Sequence, residues 1–212
     1  VPYYSWDGIH FTGNGESFTH YNYYQFLPII SETQYTAEEL DSYINYALAQ
    51  RELTGPQYAN ATKISKLIGL GTTLKQMEEQ YGLNAMMILS LAFHESDHGM
   101  SEHAQKYNNL FGLYVYDTNP LNKEFESVEA NISEYIDLFI WKNYVPHNGA
   151  YANGSVFGSK ALGMNVKYAS DPYWGAKAAG HYYRADKYLG FKDANNPYTV
   201  GLTTTSGLNV RT

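Results

Sequence analysis

The stretch from Asn84 to Gly99 constrains this chain more than any other. Ala85 to Phe93 is its longest apolar run, broken only by Ser90. That run falls far short of the roughly 20 residues that cross a bilayer, so it belongs inside a protein core. Asn84 suits a helix N-cap and Gly99 a helix stop, which predicts a helix of about 14 residues between them. Met87, Ile88, Leu91 and Ala92 repeat at helical spacing, and the next position on that stripe is Glu95. A carboxylate there ends a face that is otherwise apolar.

Two chemistries fit that position. A carboxylic acid half removed from water, near the negative end of a helix dipole, has its pKa raised towards the range of a proton donor. A glutamate that makes a salt bridge or reaches solvent fits the same residues equally well. The second chemistry is zinc hydrolysis, because His94-Glu95-Ser96-Asp97-His98 matches the His-Glu-x-x-His pattern. Zinc needs both imidazoles on one face of a continuing helix, plus a third ligand. Gly99 follows the second histidine at once, and the extended pattern fails because Ser101 and Ala104 stand where glycine and a third histidine belong. Glu124 and Glu126 are far enough downstream to ligate, but no spacing places them. His10, His20, His103, His147 and His181 show no convergent spacing.

Elsewhere the pattern is mostly helical. Thr36 and Glu39 form a capping box that opens a helix through about Gln50. Further helices are expected over about 56–68, 73–81 and 127–144. Asp171-Pro172 is a helix start, with Asp as N-cap, for a helix to about Leu189. Asn108 to Tyr116 and the segment returning to Phe125 predict a small β-hairpin with its bend at Asn119-Pro120. Residues 1–35 are aromatic and glycine-rich without a helical period, an irregular arm expected to pack on the domain. The residues from 191 onward are expected to be loop and extended tail.

Composition narrows the function. The formal net charge of −7 argues against a nucleic-acid binder. With no cysteine there is no thiol catalysis, disulfide scaffold or cysteine-ligated zinc. The 22 tyrosines suit stacking on sugar rings, but they suit ordinary cores and interfaces as well. A chain that begins at Val1 without Met or signal segment is expected to be a processed or excised piece.

Three blocks add a resemblance. Glu95-Ser96 with Gly99, then Asn108-Asn109-Leu110-Phe111-Gly112, then Tyr168-Ala169-Ser170-Asp171-Pro172-Tyr173, occur in the order found in glycoside hydrolase family 73. The sequence resembles that family over about residues 75 to 190. The resemblance implies an α+β, mostly α, lysozyme-like helical domain with a small β-hairpin lobe and a cleft between. It implies a peptidoglycan endo-β-N-acetylglucosaminidase in which Glu95 is the catalytic acid. The second carboxylate would be Asp171 in some members, or a hairpin glutamate, here Glu124 or Glu126, in others. Asp171 before Pro172 is equally an ideal helix cap. A third route uses the substrate's own acetamido oxygen, with Glu95 acting almost alone. Tyr168, Asn109 and Tyr173 would line the substrate cleft. His94 and His98 depart from the family's usual small or aromatic residues, so no role carries over to them.

The expected organisation is an arm (1–35), a catalytic domain (36–190) and a C-terminal tail or linker (191–212). In the last of these, Gly207 to Arg211 resembles the first strand of a bacterial SH3-like wall-binding domain. The implied enzyme is a secreted, cell-wall-associated autolysin module, a monomer acting on peptidoglycan glycan strands without metal or cofactor. It would neither bind nucleic acid nor insert in a membrane. Its negative charge gives no pull towards an anionic wall, so targeting would rest with other wall-binding domains. Muramidases and lytic transglycosylases share the fold and are the rivals within enzymes. A degenerate wall-binding module is the rival outside them.

Overall fold

A computed structural model describes residues 2–115 and 123–203. Nine α-helices and one two-stranded sheet are found among those residues. In chain order the elements are β1 (His10–Gly13), β2 (Glu16–Thr19), α1 (Tyr23–Phe26), α2 (Ala37–Glu52), α3 (Ala61–Ile64) and α4 (Gly71–Tyr81). Then follow α5 (Ala85–Glu95), α6 (Glu102–Tyr107), α7 (Val128–Glu134), α8 (Trp174–Tyr188) and α9 (Lys192–Asn195). No helix among the described residues is long and apolar enough to cross a membrane.

The capping box is present: the Thr36 hydroxyl accepts from the Glu39 N–H at 3.3 Å, and the Glu39 carboxylate accepts from the Thr36 N–H at 3.0 Å. Helix α2 runs on to Glu52 from that start. Asn84 caps α5 by accepting from the Met87 N–H at 3.0 Å, and its own amide donates to Ser31 and Tyr182. Every residue of α5 from Ala85 to Phe93 is buried, not just one stripe. A helix that is apolar all round belongs at the centre of a domain, and α5 packs there against α4 and α8.

Several expectations need correcting. The helix expected over 56–68 is a 3-10 turn at Pro56–Tyr58 followed by the short α3, because Asn60 between them is left-handed with φ 66°. The helix expected over 127–144 is α7 followed by a π-helical stretch, Tyr135–Trp141. Helix α8 starts at Trp174 rather than at Pro172, and its N-cap is Tyr173. Asp171 instead folds a turn, with its Oδ1 accepting from the Tyr173 N–H at 2.8 Å.

The β-hairpin also lies elsewhere. Described residues 108–115 form turns, with Asn108, Gly112 and Tyr114 all at positive φ, which breaks a strand three times. The expected bend at Asn119-Pro120 lies outside the described residues. The sheet is instead β1–β2 in the N-terminal arm. Gly13 pairs with Glu16 across Asn14-Gly15, both at positive φ, which is the two-residue turn that Asn-Gly favours. Beyond the hairpin the arm enters the core: Tyr24, Phe26, Leu27 and Ile29 are buried. At the other end, residues 192–195 form α9 where loop was expected. The SH3-like resemblance at Gly207 to Arg211 lies outside the described residues.

The tyrosines explain how α9 is held. Asp186, fully buried, accepts from the hydroxyls of Tyr24 (2.8 Å) and Tyr35 and from the N–H groups of Asp193 (3.1 Å) and Ala194 (3.0 Å). Asp193 accepts from Thr33 (2.6 Å), Tyr182 (2.7 Å) and the Gln34 N–H (2.7 Å). Tyrosine here delivers an apolar ring to the core and a donor to a buried carboxylate, as buried acids require. Much of the tyrosine content is therefore structural.

Candidate active site

Glu95 is the last residue of α5, and the chain leaves the helix sharply after it. Asp97, His98 and Gly99 take φ of 49°, 62° and 73°, three successive left-handed residues. Such a run is strained for the two non-glycine residues and persists only when its surroundings over-determine it. They do: Asp97 accepts from Arg51 and from the Tyr58 hydroxyl at 2.7 Å. The Ser65 hydroxyl donates to the His98 carbonyl at 2.7 Å. A Cβ on Gly99 would lie 2.5 Å from Ser65 Oγ and 2.9 Å from the Lys66 nitrogen, so only glycine fits. This turn also takes His98 off the helix, so His94 and His98 do not share a helical face. Among the described residues no group of three histidine, aspartate or glutamate side chains could hold a metal ion.

The Glu95 carboxylate is largely removed from water, and burial pushes its pKa above the usual 4.5. Two donors pull the other way. The Trp174 indole N–H donates to Oε1 at 2.7 Å, and the Tyr168 hydroxyl also bonds the carboxylate. Burial outweighs both, so the direction is upward. Trp174, on the first turn of α8, stacks on Tyr168 with ring centroids 4.2 Å apart. The Tyr168 hydroxyl lies 2.8 Å from that of Tyr135, whose ring stacks on Phe111 at 3.7 Å. Burial holds both tyrosines neutral.

Glu95 opens onto a pocket of about 480 Å³ that Phe111, Tyr114, Phe139 and Tyr168 also line. A second carboxylate lines it too. Glu134, at the junction of α7 with the π-helical stretch, accepts from the Tyr114 hydroxyl at 2.7 Å and from Lys123 Nζ at 2.7 and 2.8 Å. The Lys123 ammonium, then the Tyr114 hydroxyl, hold its pKa below the usual 4.5. One pocket therefore presents one carboxyl pushed towards neutrality and one kept ionised, the arrangement that divides acid from base or stabilising roles.

Of the residues expected at the site, Glu95 and Tyr168 meet in this pocket. Asn109 is buried beside it, where it accepts from the Leu113 N–H at 3.0 Å and donates to the Leu113 carbonyl at 2.9 Å, fixing the loop that carries Phe111. Asp171 pairs with Lys177 at 2.6 Å outside the pocket lining, and Tyr173 is exposed beside it. Glu124 and Glu126 are exposed and do not line the pocket either. Glu134 was not singled out by the sequence, since nothing near it in the chain marks it.

Comparison with known proteins bears on the family and the fold. The profile of the family described as Mannosyl-glycoprotein endo-beta-N-acetylglucosaminidase (Glucosaminidase) matches residues 71–187, from the start of α4 to the last turn of α8. The chain belongs to the glucosaminidase family. That is the family the three sequence blocks resemble. Two proteins from different strains of Streptococcus pneumoniae, each named "Putative endo-beta-N-acetylglucosaminidase", are 36% identical to it over 193 residues. That alignment covers 90% of this chain but only 26% and 24% of those proteins, so the chain spans about a quarter of their length. The fold matches crystal structures of Staphylococcus aureus Autolysin E. A catalytic mutant in complex with the disaccharide NAG-NAM superposes with a TM-score of 0.54 at 16% identity, over 81% of this chain and 76% of that one. A complex with the muropeptide NAM-L-Ala-D-iGlu gives 0.53 at 15% identity, over 87% and 86%. This similarity concerns the fold, and it agrees with a mostly helical domain carrying a small antiparallel sheet.

Proposed function

We propose that this glucosaminidase hydrolyses the β-1,4 bond between N-acetylglucosamine and N-acetylmuramic acid in peptidoglycan, with Glu95 as general acid. The observation that carries the reading is the Glu95 pocket. Its carboxyl is desolvated at the end of a buried helix, and Trp174 holds one of its oxygens. An indole N–H can only donate, so Oε1 is the acceptor and the transferable proton sits on Oε2. The glycosidic oxygen takes that proton as its bond to the N-acetylglucosamine anomeric carbon breaks. Water then adds to that carbon, and its spare proton returns to the carboxylate. Glu134, ionised in the same pocket, offsets the positive charge that develops on the sugar ring.

The Autolysin E complexes with NAG-NAM and with a muropeptide support a peptidoglycan substrate for a protein of this fold. The chain works on this reading as an autolysin module, secreted and acting at the wall, with wall-binding domains elsewhere in a longer protein. On this reading Asp171 and Tyr173, just before α8 and outside the pocket lining, would contact the glycan away from the reacting bond.

The test is digestion of purified peptidoglycan by this chain and by Glu95→Gln, with and without chelator, followed by borohydride reduction and mass spectrometry. Products ending in reduced N-acetylglucosamine, made with chelator present and absent with the variant, are expected. Reduced muramic acid ends would reassign the bond to that cut by muramidases. Undiminished cutting by the variant would remove Glu95 from the mechanism, and loss of cutting in chelator would bring a metal back into it.

A further inference from the structure

A second pocket, of about 580 Å³, lies between α2, α8 and the turn after Glu95, and none of its lining residues lines the Glu95 pocket. It is basic in a chain whose net charge is −7. Arg51, Arg184 and Lys187 all line it. Arg51 is compensated by Asp97, which lies beside the pocket and also within 3.7 Å of His98 Nδ1. Arg184 and Lys187 make no ion pair with any carboxylate among the described residues. Two positive charges are thus left over on one turn of α8. Arg184 is aimed by its bond to the Tyr43 hydroxyl, the rest of its charge remaining free.

The walls add recognition to charge. Tyr46 and Tyr188 stack on each other with centroids 4.0 Å apart, both about two-fifths exposed at the rim. Exposed tyrosine faces of this kind take the C–H face of a sugar or polyol. At the back, His98 and His181 pack edge to face at 5.5 Å. Burial first, and the nearby arginines after it, push their pKa values down to about 4 and about 3, so both are neutral near pH 7. Of the buried nitrogens of the lining, Arg51 Nε has no hydrogen-bond partner among the described residues, and His98 Nδ1 faces only Asp97, at 3.7 Å. Buried polar atoms left this way are uncommon in folded proteins.

We propose that this pocket binds a phosphate monoester carried on a sugar or polyol. A single carboxylate would neutralise only half of the charge of Arg184 and Lys187. A phosphate monoester carries about −1.5 to −2 near neutral pH and brings three strong acceptor oxygens. The ester's carbon skeleton lies against the tyrosines.

Isothermal titration of this chain with glucosamine 6-phosphate, glycerol 3-phosphate, inorganic phosphate, dimethyl phosphate and acetate tests this. Saturable binding of the two esters is expected, with inorganic phosphate weaker and dimethyl phosphate and acetate at least tenfold weaker. The double variant R184Q/K187Q, changed only at exposed positions, should lose at least tenfold in affinity for both esters while keeping the wild-type circular dichroism. E95Q should bind them as the wild type does, which separates this pocket from the catalytic one. Absence of saturable binding, equal affinity for acetate, unchanged affinity in the double variant, or loss of binding in E95Q would each overturn the proposal.

Discussion

The Trp174 indole N–H and the Glu95 carboxylate meet at 2.7 Å, and that bond works against the burial that raises the pKa of Glu95. The donor stabilises the ionised form while desolvation destabilises it. Trp174→Phe removes the donor and keeps a ring to stack on Tyr168. With the donor gone the carboxyl is harder to ionise, so the alkaline limb of the pH–rate profile should move to higher pH. A lost bond to a charged group amounts to roughly 1.5–3 kcal/mol, so kcat should also fall by about tenfold or more as the acid loses its orientation. A limb that stays put or moves down would contradict this role.

The pH profile of the unmodified chain should be a bell. On the proposed roles Glu95 acts protonated, so activity is lost as pH rises through its raised pKa. Glu134, in the same proposal, acts ionised, so activity is lost as pH falls through its lowered pKa. The window lies between the two. Rates on a soluble glycan fragment across pH 3 to 9 would check it, and a profile flat on the acidic side would detach Glu134 from the reaction.

Glu134→Gln keeps the bond from Tyr114 and loses the charge. It should lower kcat on the order of a hundredfold or more while leaving KM nearly unchanged, since its contribution arises as charge develops. A change confined to KM would instead make Glu134 a substrate contact.

Gly99→Ala tests the turn behind the acid. At φ 73°, with Ser65 Oγ 2.5 Å from the new methyl, the turn must shift. A cost of roughly 1–3 kcal/mol in chemical denaturation and a drop in kcat at permissive temperature are expected. Wild-type behaviour in both would show that the turn is not rigid.

Asp186→Ala should destabilise more than any of these. It strands the hydroxyls of Tyr24 and Tyr35 and the N–H groups of Asp193 and Ala194. Buried groups left unpaired cost about 1–3 kcal/mol each, so a loss above roughly 3 kcal/mol in urea denaturation is expected. The Glu95 pocket is elsewhere, and the folded fraction should still cut glycan.

What the sequence made legible was local. Thr36 with Glu39, and Asn84 before an apolar run, are caps that act within one helical turn, and both operate as read. Glu95 was legible because its neighbours along the chain are also its neighbours in space. Asn14-Gly15 was a hairpin signal of the same local kind, hidden in a segment read as irregular. Asn108 to Tyr116 carries strand-forming residues, but three left-handed backbone positions and the side chain of Asn109 turn it into a loop. Glu134 was invisible for a different reason. It lines the pocket where α7 gives way to the π-helical stretch and pairs with a lysine on another segment, neither of which leaves a pattern near it in the sequence. Tyr168 came from resemblance alone, since nothing in its spacing separates it from the core tyrosines.

The mounting of Glu95 divides its pocket into a fixed part and an adjustable part. Glu95 ends the most deeply enclosed helix, so it cannot drift without the whole interior giving way. Phe111, Tyr114 and Glu134 reach the same pocket from turns and a helix junction nearer the surface. On the proposed function, substitutions in that outer wall would change which glycans enter while leaving Glu95 where it is.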